Sequence, residues 1–203
     1  PSMDDDDFRR GKPTNHKVFG EAMAILTGDG LLNLAFETMS SHIVNSSKTL
    51  EDYKRSTKAM AEISKYSGVY GMIGGQVVDL LSSSDHIEES TLLFMYKMKT
   101  AALIQSSIVA GAILGGASEE DINILRDFGL KLGLAYQIRD DLLDRKEDSK
   151  IDKLTYIRHY NKDRAKNEVE DLSNEAKSLL GRLKDLDTSF LEQLTHDLIN
   201  RKV

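Results

Sequence analysis

Asp140, Asp141 and Asp144 lie close together in the segment AYQIRDDLLDRKED, residues 135–148. At about 100° per residue, an α-helix places these three carboxylates and Gln137 on one face, opposite an apolar stripe. Like charges four residues apart destabilise a helix, so a cation bound between Asp140 and Asp144 would explain their spacing. The alternative is an acidic helical turn that faces solvent.

The chemistry of these ligands favours magnesium. Carboxylate and amide oxygens are hard donors, and the segment contains neither Cys nor His. Mg²⁺ usually binds through one or two carboxylates and keeps positions free for substrate phosphates. This helix face therefore predicts a site for magnesium and a phosphorylated ligand.

A second acidic cluster, Asp4 to Asp7, is followed directly by Arg9, Arg10 and Lys12. A run of charges is usually solvated surface, and that is the alternative here. Arginine, however, presents a planar fork of donors that suits bidentate contact with a diphosphate. Acidic residues for metal beside basic residues for phosphate form a more specific combination than either cluster alone.

The composition predicts one largely helical domain. The chain has 203 residues, of which 40% are hydrophobic and 30% charged, so it can bury a sizeable core. It has only two prolines and is rich in residues that lose little rotamer freedom in a helix. Runs of alternating β-branched residues, which are typical of strands, do not occur. We therefore expect a single all-α domain over residues 1–203.

Charge and cysteine content narrow the classes of function. A formal net charge of −6 argues against broad nucleic-acid binding, which usually requires a basic field. The absence of cysteine excludes a disulfide framework and a thiolate metal site, and it suits a reducing cytoplasm. The longest apolar run, Ile108 to Leu114, is too short to span a bilayer, so no transmembrane segment is expected.

Propensity and periodicity predict a bundle of six to eight helices. The predicted segments are a helix or helix pair over Lys17–Asn45, a helix over Leu50–Tyr66, a helix after Gly68 or Gly71, one over Ser90–Gly115, a long helix from Glu119, a charged amphipathic surface helix over 159–187 and a closing segment over 188–203. Gly28 and Gly30 lower the helix propensity within the first of these. Ser118 is the expected N-cap of the long helix, and a loop is expected at Ser82 to Asp85.

Four motifs in order resemble the landmarks of one enzyme family. The trans-type isoprenyl diphosphate synthases, the farnesyl and geranylgeranyl diphosphate synthase family, are similar to this chain at MDDDDFRRGKPTNHKVFGEA, GMIGGQVVDL, KTAALI and GLAYQIRDDLLD. The resemblance covers nearly all of the chain. It implies a polyprenyl synthetase domain, a helical bundle of the isoprenoid synthase type with its active-site cavity between central helices.

The resemblance also implies which residues bind metal. In that family two aspartate-rich motifs face each other and hold three Mg²⁺ ions on an allylic diphosphate. Asp140, Asp141 and Asp144 correspond to the second motif, and Asp4 matches the last aspartate of the first motif. These four aspartates are therefore the implied metal ligands.

Further matches imply the residues that bind substrate. Arg9 matches the arginine that contacts the allylic diphosphate, and Arg10 matches the one associated with isopentenyl diphosphate. Lys99, Thr100 and Gln137 match residues that line the allylic site, and Lys99 is implied in catalysis with the aspartates.

For two of these residues a structural role is the alternative. The alternative for Lys99 is a surface lysine whose stem covers apolar surface, and for Gln137 it is a hydrogen bond along its own helix face. Gln76 and Asp79, in GGQVVDL, are expected to pack and to support the site indirectly. The glycines of that motif are read as close helix contacts, because no strand precedes them as in a phosphate-binding loop.

The implied activity is that of a prenyltransferase. Magnesium-assisted ionisation of dimethylallyl, geranyl or farnesyl diphosphate would be followed by condensation with isopentenyl diphosphate, giving a longer trans-prenyl diphosphate. A homodimer is the implied assembly. The alternative is a non-catalytic partner subunit or an inactive fragment of such a synthase. A class I terpene cyclase is less favoured, because its Asn/Ser/Glu-bearing second motif is not found.

The match departs from the family pattern in two places. The first two aspartates of the first motif, with the upstream helices, would lie before Pro1, so we expect the chain to lack the N-terminal part. A longer loop with a Gly-Lys pair usually follows the second motif, and we expect it to be missing near Ser149. Lys150 or Lys153 are candidates to replace its lysine, but the resemblance carries that role to neither.

Overall fold

The structure is a computed structural model that describes residues 3–82, 88–143, 156–184 and 186–201. Helices predominate in these ranges, which confirms the predicted all-α class, and the strands form only one short hairpin. The chain divides into two compact units, Pro1–Ser56 and Thr57–Val203. A single domain over residues 1–203 stays a prediction.

The first unit begins with a hairpin that the sequence did not reveal. Strands β1 (Phe8–Arg9) and β2 (Lys12–Pro13) pair antiparallel across a two-residue turn. The turn residues Arg10 and Gly11 have φ of 51° and 72°, as a type I′ turn requires. Gly11 adopts this conformation freely, whereas Arg10 carries a Cβ that disfavours it. Strands of two residues show no alternating pattern, so they escape detection.

Two helices follow, which agrees with the helix pair that was one of the two predicted alternatives. Helix α1 (Asn15–Phe19) ends at Gly20, whose φ of 84° favours glycine, and α2 (Glu21–Ser46) continues from there. The lower propensity at Gly28 and Gly30 does not break the helix, because α2 runs through both. An interior glycine costs a helix only about 1 kcal/mol, whereas a left-handed residue ends it.

Helices α3 (Leu50–Ser67) and α4 (Met72–Leu81) confirm the predicted segments. The first turn of α3 is closed reciprocally: the amide of Asp52 donates to Thr49 Oγ1 at 3.1 Å, and the Asp52 carboxylate accepts from the Thr49 amide at 3.0 Å. This arrangement satisfies backbone donors that a helix start leaves unpaired. Hydrogen bonds to the Asp52 carboxylate, first from the Thr49 side chain and then from the Thr49 and Lys48 amides, lower the pKa of Asp52 below its ordinary value.

The segment predicted as one helix over Ser90–Gly115 contains a π-helical turn. Helix α5 (Glu89–Tyr96) passes into a π-helical turn (Lys97–Ala101), which passes into α6 (Ala102–Gly115). Such turns are rare and occur often at functional sites. Helix α6 ends in a Schellman motif at Gly116, whose φ is 78°.

By length and composition, this helical run, Glu89–Gly115, meets the criterion for a membrane-spanning helix, and it is the one run in the described residues that does. Core helices of soluble proteins meet the same criterion. The run supplies Leu92 and Met95 to one buried cluster and Val109 to another. Its apolar character therefore has an explanation in core packing.

The long helix α7 (Glu119–Leu143) forms as predicted. The amide of Asp121 donates to Ser118 Oγ at 3.1 Å, which confirms Ser118 as its N-cap. One face of α7 is buried in the core, at Leu125, Phe128, Leu132, Ala135 and Ile138. This is the predicted apolar stripe.

The remaining helices are α8 (Tyr156–His159), α9 (Lys162–Leu180) and α10 (Ser189–Asn200). The charged segment predicted over 159–187 thus contains a single long helix. Asn161 begins it, accepting from the Arg164 amide at 2.8 Å. Helix α9 buries one face against α7, at Ala165, Val169, Leu172, Ala176 and Leu180.

Glycines bring the π-helical turn into backbone contact with both of its neighbours. A Cβ built on Gly75 of α4 would overlap the backbone of Met98 and Lys99, and one built on Gly133 of α7 would overlap Ala101. The glycines of the GGQVVDL motif were predicted to make close helix contacts, and Gly75 does so. These contacts fix where the side chains of Lys99 and Thr100 begin.

The contact at Gly133 can be tested by adding one methyl group. We expect Gly133→Ala to lower the free energy of unfolding by about 1–3 kcal/mol, because the new methyl group must displace backbone. The matched control is Gly111→Ala on α6, where an added Cβ meets nothing within 4 Å; higher helix propensity should raise stability by up to about 1 kcal/mol. Urea unfolding followed by circular dichroism measures both, and equal effects would contradict the contact.

Candidate functional site

Lys99 is held by an aspartate of the neighbouring helix. Its Nζ lies 2.5 Å from Asp79 Oδ2, and the side chains of Lys99 and Asp79 are 33% and 21% exposed. The lysine therefore makes a specific ion pair in a partly buried position. The contact is the kind of indirect support that the sequence led us to expect of Asp79.

A line of hydrogen bonds joins the π-helical turn to α7. Thr100 Oγ1 donates to Gln137 Oε1 at 2.6 Å, and Gln137 Nε2 donates to Asp141 Oδ1 at 3.2 Å. Gln137 thus makes the hydrogen bond along its own helix that was the alternative for it, and it also orients Thr100. The structure brings three of the sequence-predicted site residues together.

Asp141 lies at the centre of a buried polar cluster. It is only 7% exposed, and its Oδ2 accepts from the Tyr96 hydroxyl and from the Tyr156 amide, the latter at 2.8 Å. The Tyr156 amide also lies 2.7 Å from the Tyr96 hydroxyl oxygen. One carboxylate therefore ties together α5, α7 and the start of α8.

This burial adds to the geometry that the helical wheel predicts for the aspartate face. The wheel places Asp141 opposite the core stripe of α7, and the alternative to a metal site was an acidic turn that faces solvent, but Asp141 does not face solvent. In the structure α5 and α8 cover that part of α7, so Asp141 is enclosed although it lies away from Phe128 and Leu132. A helical wheel shows which residues share a face, but it does not show what packs against that face.

Asp140 faces a different environment from its neighbour. Its Oδ1 forms an ion pair with Arg201 Nη2, and the side chains are 36% and 21% exposed. The other guanidinium nitrogen, Nη1, donates to the Tyr136 hydroxyl at 2.9 Å. Arg201 could not be predicted from the sequence as a partner of Asp140, because 61 residues separate the two and no local pattern links them.

The donor set suits magnesium, but its members are not equally accessible. Asp144, Lys150 and Lys153 lie outside the described residues, and the residues that are described contain no group of three or more acidic or histidine side chains that could hold a metal. Asp140, with oxygen donors and partial exposure, fits Mg²⁺. Asp141 would first have to release protein donors. Binding of metal by these aspartates stays a prediction.

In the first unit, alternate aspartates of the acidic cluster have structural partners. Asp5 Oδ1 lies 3.2 Å from His16 Nε2, and Asp7 Oδ1 lies 2.7 Å from Lys17 Nζ. The hydrogen bond from Lys17 lowers the pKa of Asp7 and raises that of Lys17. These contacts tie the base of the hairpin to α1, so part of the charge run has a structural role.

The same hairpin carries the predicted diphosphate ligands. Thr14 Oγ1 donates to the Asp6 carbonyl at 2.7 Å, and the Thr14 amide donates to the Asp7 carbonyl at 3.0 Å. These bonds close the hairpin, at whose tip Arg9 and Arg10 are exposed. Asp4 is exposed as well and takes part in an interaction within the chain.

Fold and site together define a class, a helical protein with acidic, basic and amide side chains suited to a metal-bound diphosphate. The sequence model of the family described as polyprenyl synthetase matches residues 3–157. The chain therefore belongs to the polyprenyl synthetase family.

Curated relatives agree with this assignment. The chain is 42% identical over 194 residues to a farnesyl diphosphate synthase of Bacillus subtilis, covering 90% of this chain and 64% of the relative. It is also 42% identical over 192 residues to a chloroplastic geranylgeranyl pyrophosphate synthase of Capsicum annuum, covering 89% of this chain and 51% of the relative. The chain thus spans less than two thirds of the length of either protein.

Solved structures share the fold. A protein of Zymomonas mobilis described as an FPP/GFPP synthase, in its apo form, superposes with a TM-score of 0.85 at 32% identity, covering 98% of this chain and 68% of the other. A geranyltransferase of Helicobacter pylori, complexed with magnesium and isoprenyl diphosphate, superposes with a TM-score of 0.81 at 30% identity. That alignment covers 98% of this chain and 67% of the other.

The different environments of the two neighbouring aspartates lead to different expected costs of neutralisation. Asp141→Asn turns an amide N–H toward groups that already donate, so we expect a loss of about 3 kcal/mol in the free energy of unfolding. Asp140→Asn removes one partly exposed ion pair and should cost less than about 1 kcal/mol. Chemical unfolding without metal measures both. Equal losses would show that Asp141 is not the centre of the cluster.

Proposed function

We propose that the protein is a trans-prenyltransferase, which condenses isopentenyl diphosphate with an allylic diphosphate such as dimethylallyl, geranyl or farnesyl diphosphate. The product is a longer trans-prenyl diphosphate. The observation that carries the proposal is the contact between the π-helical turn, with Lys99 and Thr100, and the acidic face of α7, through Gln137 and Asp141. Family membership and relatives named as farnesyl and geranylgeranyl synthases support the same activity.

Magnesium is the proposed cofactor, with three ions as the proposed number. Bound magnesium would neutralise the charge that develops on the leaving diphosphate. Asp4, Asp140, Asp141 and Asp144 are the proposed ligands, and Asp140 is the described member that fits without rearrangement. The magnesium named in the Helicobacter structure supports this choice of metal.

The protein's own cations would bind the diphosphates. The ammonium of Lys99 would donate to oxygens of the allylic diphosphate, and its ion pair with Asp79 holds it in place until that ligand arrives. Arg9 and Arg10 are the proposed contacts to the allylic diphosphate and to isopentenyl diphosphate. Gln137 orients the Thr100 hydroxyl, which donates to Gln137 in the free protein and is proposed to line the allylic site.

Ionisation of the allylic diphosphate gives an allylic cation, which the double bond of isopentenyl diphosphate attacks before a proton is lost. Water must be kept from this cation. An active-site cavity between central helices, as the resemblance implies, would provide that exclusion.

The activity is tested by incubating the 203-residue chain with Mg²⁺, isopentenyl diphosphate and each allylic diphosphate, and identifying products by mass spectrometry. We expect elongation of the allylic substrate. We expect Lys99→Gln to lower turnover by about 100-fold, because it removes a positive charge that would stabilise the negative charge developing on the leaving diphosphate.

The matched control is Lys97→Gln, an exposed lysine two residues earlier on the same turn, which should leave turnover near that of the wild type. A folded chain that binds the diphosphates but yields no elongated product would instead support the alternative of a non-catalytic partner subunit or an inactive fragment.

We further propose that the protein forms a homodimer through α2. Neither α1 nor α2 buries a residue, although apolar side chains point from all sides of α2. The more exposed of them are Met23, Ile25, Leu26, Leu31, Leu32, Leu34 and Val44. A helix that is apolar all round is normally buried, and a second copy is the commonest partner of soluble proteins.

The dimer proposal predicts that two glutamates introduced on α2 lower the molecular mass measured in solution from that of a dimer to that of a monomer. Light scattering after gel filtration should give about twice the monomer mass for the wild type and the monomer mass for Leu26→Glu/Leu34→Glu, because the carboxylates would be desolvated in the contact. Phe190→Glu, at a 73% exposed position of α10, is the control and should stay dimeric. A monomeric wild type would refute the homodimer.

The proposed location is the cytoplasm. Its support is the absence of cysteine from the chain, which suits a reducing compartment, and cell fractionation would test it.

A further inference from the structure

Arg201 follows α10 and is fixed to α7 at several points. Its Nη2 pairs with Asp140 Oδ1, and its Nη1 donates to the Tyr136 hydroxyl at 2.9 Å. The guanidinium carbon lies 4.1 Å from the centre of the Tyr136 ring. The carbonyl of Arg201 accepts from Arg139 Nη2 at 2.9 Å. The arginine is therefore a positioned cation and not a freely moving surface side chain.

The fixation of Arg201 does not depend on Asp140 alone. The stacking on Tyr136 and the hydrogen bonds to Tyr136 and from Arg139 would persist if Asp140 turned away. Within the part of the chain that the structure describes, Nε of Arg201 is buried without a hydrogen-bond partner. Arg201 thus meets the Asp140 carboxylate through Nη2. This ion pair can open while the contacts of Arg201 with Tyr136 and Arg139 remain.

Magnesium and the guanidinium require the same carboxylate. Mg²⁺ binds carboxylate oxygens directly and demands near-octahedral geometry, whereas Arg201 engages Asp140 through an N–H donor along the same lone-pair region. Asp140 is 36% exposed, so a cation from solution can reach it. Two cations of this kind on one carboxylate repel each other. Occupation by one therefore opposes occupation by the other.

From this geometry we infer that Arg201 is an internal counter-ion of Asp140, which a divalent cation has to displace, so that Arg201 sets the metal affinity of the site. The inference rests on the proposed function, because it takes Asp140 as a metal ligand. Arg201 is accordingly a positioning residue: it holds the Asp140 carboxylate in place while metal is absent, and its release accompanies metal binding.

A displaced counter-ion has a signature that a purely structural contact lacks. Removal of a structural contact would lower stability and weaken the metal site together. Removal of a competitor lowers the stability of the metal-free protein but tightens metal binding. The two roles are therefore separated by the direction in which metal affinity changes.

The experiment measures Mn²⁺ binding by electron paramagnetic resonance, with the full chain, in the absence and presence of inorganic pyrophosphate. We expect Arg201→Gln to bind Mn²⁺ about fivefold more tightly than the wild type, which is the effect of losing one competing, partly exposed ion pair. Its metal-free thermal midpoint should fall, and saturating Mn²⁺ should raise the midpoint more than in the wild type.

Matched variants identify the site and the cause. Arg182→Gln removes the same charge from an exposed arginine after α9 and should leave Mn²⁺ affinity unchanged. Asp140→Asn should lose the affected Mn²⁺ site. If Arg201→Gln does not fold, Tyr136→Phe supplies the test, because it removes one hydrogen bond from the guanidinium and should tighten Mn²⁺ binding by a smaller factor.

The outcomes separate this inference from the proposed function. A wild type that binds Mn²⁺ at Asp140, with equal or weaker binding by Arg201→Gln, overturns the counter-ion role and leaves the proposed function standing. A wild type that binds no Mn²⁺ even with pyrophosphate removes the metal site of the proposed function, and the counter-ion role falls with it.

Discussion

The backbone contact of the π-helical turn with α4 and α7 determines the rest of the site in the unit Thr57–Val203. Gly75 and Gly133 allow these helices to approach Lys99 and Ala101 more closely than any side chain would permit. If α4 lay further from the π-helical turn by the width of one methyl group, Asp79 would move away from Lys99. The same displacement of α7 would move Gln137 away from Thr100. Because packed interiors accommodate extra volume poorly, both polar contacts depend on these two glycines.

Asp140 and Asp141 show how consecutive residues on one helix acquire different tasks. Asp141 is enclosed and its charge is compensated by donors from Tyr96, Gln137 and the Tyr156 amide, which makes it part of the protein's frame. Asp140, about 100° away around the helix, meets solvent and a single arginine. A buried carboxylate with satisfied hydrogen bonds is costly to disturb, whereas a partly exposed one exchanges partners at low cost. Asp141 therefore stabilises the helix geometry in which Asp140 is proposed to bind a ligand.

Much of the fold and of the site could be predicted where the determining interactions are local. The N-cap at Ser118, the apolar stripe of α7 and the grouping of Gln137 with the aspartates follow from spacing within one helix. The π-helical turn could not be predicted, because its hydrogen-bond register is set by packing against glycines more than twenty residues away in sequence. The pairing of Asp140 with Arg201 and the enclosure of Asp141 were missed for the same reason. The break at Gly20 was missed because glycine content does not show which glycine needs a positive φ.

Two charged side chains of this unit that are proposed to bind exchangeable ligands, Lys99 and Asp140, each have a protein counter-ion in the free chain. Lys99, assigned to a diphosphate, is paired with Asp79, and Asp140, assigned to a metal, is paired with Arg201. An unpaired charge in a partly buried position would destabilise the fold, so these partners stabilise both groups in their positions. The same pairing lowers the affinity for each ligand, since the ligand must displace the partner. A diphosphate bound together with its metal brings both charges at once, and it can satisfy Lys99 and Asp140 simultaneously, whereas metal or diphosphate alone satisfies only one of them. The pairing thus favours the complete metal–diphosphate ligand over either component.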